Sequence, residues 1–198
     1  MEQQLPYLLL VLAYLLGSIS SAIIVCRLAN QADPRSQGSG NPGATNVLRY
    51  GGKKLAALTL FGDVLKGIVP VMLAILLNMP ADIIAACALL AFLGHLYPIF
   101  FKFKGGKGVA TGFGALLALS WAVAITMLFV WLSVANLFRY SSLAALTATL
   151  SAPLLMWWFS PNISYLVVSI IIAIAIFWRH RRNISNLLAG KETKIGKK

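Results

Sequence analysis

Three polar segments interrupt an otherwise apolar chain, and each carries residue types suited to holding phosphate groups. The first, Arg35 to Arg49, reads RSQGSGNPGATNVLR. Gly38, Gly40 and Gly43 free the backbone to aim N–H groups at an anion. Ser39, Asn41, Thr45 and Asn46 add neutral hydrogen bonders around the Arg49 guanidinium. A solvated linker has the same Gly, Ser, Asn and Pro composition. A Thr-Asn pair and an arginine leading straight into an apolar run favour a ligand loop. The second segment, Phe101 to Thr111, reads FKFKGGKGVAT. Gly105, Gly106 and Gly108 enclose Lys107, so backbone amides can approach an anion closely, and the start of the following helix adds partial positive charge. It is not a Walker loop, because Phe101 stands where that motif needs glycine. Lys102 and Lys104 read as topological anchors, and Lys107 as a ligand contact.

The third segment, Arg179 to Glu192, reads RHRRNISNLLAGKE. His180 and Asn183 are spaced to share a helix face, with Ile184, Leu187 and Leu188 able to dip into a membrane interface. On its own this reads first as a basic juxtamembrane segment. Inside the apolar runs, Asp63 and Lys66 lie three residues apart on one helix face and read as a mutual ion pair, since ionisable groups at that depth need partners. His95, near Gly94 and Pro98, reads as a hydrogen-bonded packing residue rather than a catalyst. Cys26 and Cys87 sit in apolar runs and offer no disulfide framework. No metal site is expected, because no His, Cys, Asp and Glu cluster has ligand spacing.

The elements that must position these groups follow from composition. Of 198 residues 59% are hydrophobic and 11% charged, and the mean hydropathy is +0.82. A soluble domain carries about a quarter charged residues, so this chain belongs in a membrane. Seventeen Lys and Arg against five Asp and Glu give a net charge of +12 and anionic partners: lipid headgroups or phosphate esters. Nucleic acid is disfavoured, because the basic residues fall where membrane topology requires them.

The apolar runs are Leu5 to Ala29, Leu55 to Leu77, Ile83 to Phe101, Val109 to Phe138, Leu143 to Phe159 and Ile163 to Trp178. The first follows Met-Glu-Gln-Gln with no basic residue and no cleavage site, so it is expected to remain in the mature protein. Val109 to Phe138 is too long for one crossing of a core about 30 Å thick. A single crossing would also put the basic tail outside. Two crossings restore parity: a short helix from about Gly108 to Leu119, a turn near Ser120 and Trp121, and a return helix to Phe138. The expected fold is therefore an all-α polytopic membrane protein, one domain over residues 1–198. It has seven transmembrane helices including a short fourth, the N-terminus and Asp82 outside, and Arg139, Lys197 and the C-terminus in the cytoplasm. Every Lys and Arg except Lys66 then lies on the cytoplasmic face, where function is expected.

Residues 38–49, 94–111 and 180–192, with the spacing of Asp63, Lys66, Gly67 and Pro70, closely resemble the bacterial acyl-phosphate-dependent glycerol-3-phosphate acyltransferases. The resemblance spans nearly the whole chain, in order and between the same apolar runs; Asn186 departs from it, standing where many members are basic. It implies transfer of a fatty acyl group from acyl phosphate to the 1-hydroxyl of sn-glycerol 3-phosphate, giving lysophosphatidic acid and phosphate, in the bacterial inner membrane and without a cofactor. Carried over residue by residue, it implies functional roles for Ser39, Arg49, Lys107, His180 and Asn183. The implied substrate-binding set is Gly38, Gly40, Asn41, Gly43, Thr45, Asn46, Gly105, Gly106, Gly108 and Thr111. The residues themselves leave three matters open: the choice among acyl phosphate, acyl carrier protein and acyl-CoA; whether His180 or the donor phosphate is the base; and the oligomeric state. A small anion transporter would also use broken helices and buried charge, but polar loops gathered on one face favour an interfacial enzyme. A lipid phosphotransferase of the CDP-alcohol type would need an Asp array that is absent.

Overall fold

In a medium that cannot hydrogen-bond, long apolar segments must satisfy their backbone internally, and this chain does so with helices alone. The computed structural model describes residues 2–196, and among these the only regular elements are helical. They are α1 (Leu5–Gly17), α2 (Ser21–Leu28), α3 (Ala44–Tyr50), α4 (Gly52–Leu76), α5 (Ala81–Leu96), α6 (Val109–Leu119), α7 (Trp121–Phe138), α8 (Ser141–Phe159), α9 (Ile163–Arg179) and α10 (Arg181–Leu188), with short 3₁₀ turns at Glu2–Gln4 and Ile99–Phe101. By length and composition α4, Ala81–Phe101, α7 and α8 can each cross a membrane. The bent pairs α1–α2 and α9–α10 raise the number to six if each pair is one span, and α6 is a shorter apolar helix. Lys197 lies outside the described residues.

The chain folds as two compact units, divided between Leu119 and Ser120. In the first, α4 packs on α6, α1 on α5, and α3 on α4. Without a hydrophobic drive between helices in lipid, close packing depends on small residues. The α4–α6 contact shows this reciprocally: a Cβ at Gly67 would collide with the Thr111 carbonyl, and one at Gly114 with the Val64 carbonyl. In the second unit α8 packs on both α7 and α9, and α10 lies against α8 and α9. Asn162 caps α9, its Oδ1 accepting from the Ser164 and Tyr165 amides at 3.0 and 3.3 Å. A cavity of about 320 Å³ in this unit is lined by Leu143, Leu146, Leu150, Phe177, Ile184 and Leu187 among others, so the apolar side of α10 does face an apolar surface.

One run differs from the expectation. Leu5 to Ala29 is not one rod: α1 and α2 meet at 47°, with the break at Ser18–Ser20. Ser18 Oγ bonds back to Tyr14 O at 2.8 Å, and Lys66 Nζ donates to Ile19 O at 2.7 Å, satisfying a carbonyl the break releases. The last run, Ile163 to Trp178, forms α9 as expected, and the chain turns by 60° just after it at His180, so Asn183 lies in a new helix. The stretch Val109 to Phe138 does divide where charge parity placed the turn, with Ser120 extended between α6 and α7.

Candidate active site

The first glycine-bearing loop is built around Asn46. This residue is 2% exposed, and its Oδ1 accepts the Ser39 amide at 2.9 Å while its Nδ2 donates to Pro34 O and Gln37 O, both at 2.9 Å. One side chain thus folds the loop around itself. Gly38 has φ +53°, and a Cβ there would strike Asn46 Oδ1, so only glycine permits this closure. Ser39, Thr45 and Arg49 remain exposed, with Asn41 and Gly43 half-buried. Arg49 sits in the last turn of α3, which is anchored by Val47 packing with Ala22, Cys26 and Ala56 and by a 3.4 Å contact between Cys26 Sγ and the Tyr50 hydroxyl. Burial, then the Cys26 contact, pushes the Tyr50 hydroxyl well above the usual phenol range.

The second glycine-bearing loop belongs to the same unit and is tied to the first. Arg35 Nη1 donates to Phe101 O at 3.3 Å, while its Nε and Nη2 grip Asp33 at 3.0 and 2.7 Å. The Arg35 hydrogen bonds hold the Asp33 carboxyl below its ordinary range. Lys102 and Phe103 follow with φ +57° and +58°, two successive side-chain-bearing residues in the left-handed region, which costs about 1–2 kcal/mol each. That turn delivers Gly105, Gly106, half-buried Lys107 and Gly108 to the start of α6. The loop rests on His95: the Gly106 amide donates to His95 O at 3.2 Å, and Thr111 Oγ1 lies 3.1 Å from His95 Nδ1. Thr111 is fully buried, so its hydroxyl, like the Asn46 amide, is engaged with the protein.

Beneath the loops lies the expected ion pair, Lys66 Nζ to Asp63 Oδ1 at 2.9 Å, both side chains under a tenth exposed. The structure adds a third member that spacing alone did not indicate: His95 Nδ1 is 3.7 Å from Asp63 Oδ1.

In the second unit His180 is 3% exposed, with Nδ1 2.8 Å from Ile176 O. A carbonyl only accepts, so in this contact Nδ1 carries the hydrogen. Asn183 Nδ2 donates to Glu192 Oε1 at 2.7 Å, and Ser142 Oγ donates to the same oxygen at 2.6 Å. With its nitrogen held this way, the Asn183 amide is fixed in orientation. Ser142 and Glu192 were not among the sequence candidates; the signal available was an acidic residue closing a basic segment.

The family model for glycerol-3-phosphate acyltransferase matches residues 7–190. The chain belongs to that family. A glycerol-3-phosphate acyltransferase of Neisseria meningitidis serogroup C is 55% identical over 190 residues, covering 94% of this chain and 95% of its own. Among solved structures, the integral membrane glycerol 3-phosphate acyltransferase PlsY in its glycerol 3-phosphate form superposes with a TM-score of 0.93 at 43% identity, over 96% of each chain. Its lysophosphatidic acid form gives 0.90 at 42% identity, over 96% of this chain and 95% of that one. All three polar segments lie within the family match but for Lys191 and Glu192, the latter being the carboxylate that holds Asn183.

Proposed function

We propose that this chain, acting as a single acyltransferase domain, transfers a fatty acyl group from acyl phosphate to the 1-hydroxyl of sn-glycerol 3-phosphate, releasing lysophosphatidic acid and phosphate. The observation that carries this reading is the pair of glycine-bearing loops in the first unit, joined by Arg35 to Phe101 O and supplying Arg49, Lys107 and Ser39. The glycerol 3-phosphate and lysophosphatidic acid forms of the similar PlsY structure support the acceptor and product.

Both substrates are phosphate anions and one bears an acyl tail. Arg49 and Lys107 neutralise and position phosphate charge, while Ser39 and the amides of Gly38 and Gly108 orient the acyl phosphate, with Asn41 and Thr45 as further contacts. Gly40, Gly43 and Gly106, whose amides donate to Gln37 O, Asn41 O and His95 O, serve with Gly105 to shape the loops. Asn46 and Thr111 serve as braces. Attack by the hydroxyl oxygen on the acyl carbon breaks the C–O bond to phosphate, and the departing phosphate takes the hydroxyl proton. His180 and Asn183 orient the glycerol hydroxyls; His180 is the protein alternative as base. No covalent nucleophile or metal is needed, because acyl phosphate is already activated.

We assign seven crossings in the bacterial cytoplasmic membrane, with α1–α2 as one span, α6 the short fourth, α9 the seventh and α10 at the cytoplasmic surface. The N-terminus is outside and the loops are cytoplasmic, as the positive-inside count requires. The test is turnover of purified protein with acyl phosphate, acyl carrier protein thioester and acyl-CoA in turn, each with and without EDTA. Turnover with acyl phosphate alone, unchanged by chelation, is expected. Preference for a thioester overturns the donor, and loss restored by a divalent ion overturns the cationic mechanism.

A further inference from the structure

His95 takes no part in the acyl transfer set out above, yet four separate contacts converge on it. Its Nδ1 is 3.1 Å from Thr111 Oγ1 in the first turn of α6 and 3.7 Å from Asp63 Oδ1 in α4. Its own carbonyl accepts the Gly106 amide at 3.2 Å. A Cβ at Gly106 would collide with His95 Nε2, and one at Gly105 with His95 O, so the two residues before Lys107 pack directly on this histidine, one on its ring and one on its backbone. Filling volume alone would call for leucine or phenylalanine. Here the ring's Nδ1 also lies 3.7 Å from the Asp63 carboxylate, which is itself paired with Lys66, whose ammonium donates to Ile19 O at the break in the first span.

We propose that His95 is a positioning residue for Lys107. Thr111 and the Asp63–Lys66 pair fix the imidazole, and the imidazole and carbonyl of His95 fix the Gly105–Gly106 backbone that carries Lys107. The proposal rests on the phosphate-binding role of Lys107 given above. Its physical basis is that an ammonium displaced by about 1 Å from the reacting phosphate forfeits much of its effect on rate, on the order of 100-fold. Through the same pair the second glycine-bearing loop is coupled to α2, which leads into the first, so the two anion-holding segments share one buried reference point.

The test is a double-mutant cycle between His95→Leu and Lys107→Ala, read as kcat/KM with radiolabelled glycerol 3-phosphate so that the residual turnover of the Lys107→Ala protein is measured, with Tm recorded for each variant. His95→Leu is expected to lower kcat/KM about 30-fold in the wild-type background and under about threefold in the Lys107→Ala background. His95→Asn, which restores a polar atom near Nδ1, is expected to recover part of the loss. If His95→Leu does not fold, Gly106→Ala perturbs the same contact from the other side and enters the same cycle. Equal losses in both backgrounds, or no recovery with asparagine, overturn the positioning role while leaving Lys107 in the site. Unchanged turnover in Lys107→Ala alone overturns the assignment of Lys107 and this inference with it.

Discussion

The two units use polar side chains in opposite ways. In the second, hydroxyls within the helices bond back to their own helix: Thr126 to Ala122 O, Thr147 to Leu143 O, Ser151 to Ala148 O and Ser169 to Leu166 O. Such bonds satisfy the hydroxyl without fixing one helix against another. In the first unit, Lys66, Asp63, His95 and Thr111 link α4, α5, α6 and the broken first span to one another. At the ends of its helices the second unit builds comparable links, through Glu192 to Ser142 and Asn183 and through paired bonds between Arg139 and Ile195. Apolar packing is enough to hold helices in a membrane, while cross-helix polar contacts define relative positions closely. They occur beside the loops where position matters for chemistry.

The sharpest way to break this comparison is to remove Lys66. Lys66→Met leaves the Asp63 carboxylate buried without its counter-charge, and loss of one partner of a buried pair costs about 3–5 kcal/mol. A large drop in Tm in detergent is expected, whereas Ser169→Ala in the second unit should shift Tm by little. Comparable shifts would mean that the first unit's network does not organise it.

A smaller effect is expected at Glu192. Glu192→Gln keeps an acceptor for Asn183 Nδ2 but removes its charge, and charge-assisted bonds are roughly twice as strong as neutral ones. Turnover should fall by about tenfold, the equivalent of ~1.4 kcal/mol, with Tm nearly unchanged. A wild-type rate would separate Asn183 orientation from catalysis.

The smallest effect concerns the exposed clasp. Because the folded Asp33 carboxyl lies below its unfolded value, its contribution is present above the ordinary carboxylate range and is lost as pH falls through the depressed folded value. The pair is over a third exposed at Asp33, so Asp33→Asn should alter kcat/KM less than about threefold, and equally from pH 6 to 8, since exposed pairs contribute about 0–1 kcal/mol. A pH-dependent loss within that window would place another titrating group at the clasp.

What could be read from the sequence was local or statistical. The Asp63–Lys66 pair follows from a three-residue spacing on a helix, and the split of Val109 to Phe138 at Ser120 from length and charge parity. His95 was legible as hydrogen-bonded but not as the partner of Asp63, because residues 32 apart in the chain meet only through the α4–α5 packing. Asn46 looked like one more polar residue in a polar loop. Its bracing role depends on a backbone path that composition does not specify. The break at Ser18–Ser20 had a signal in Gly17 followed by three serines within four residues, outweighed by the continuous hydropathy of the run. Glu192 escaped notice because its two partners, at Ser142 and Asn183, come from different helices.

The central claim is that the glycine-bearing loops hold substrate phosphate through Lys107 rather than merely fixing topology. Lys107→Ala and Lys104→Ala remove the same charge from the same loop, so net charge and topological signal change equally. With folding and insertion verified for both, Lys107→Ala is expected to lower kcat/KM by roughly 100-fold or more, as a charge-assisted phosphate contact of about 2–4 kcal/mol requires, while Lys104→Ala stays near wild type. Equal activities in the two proteins would contradict the account.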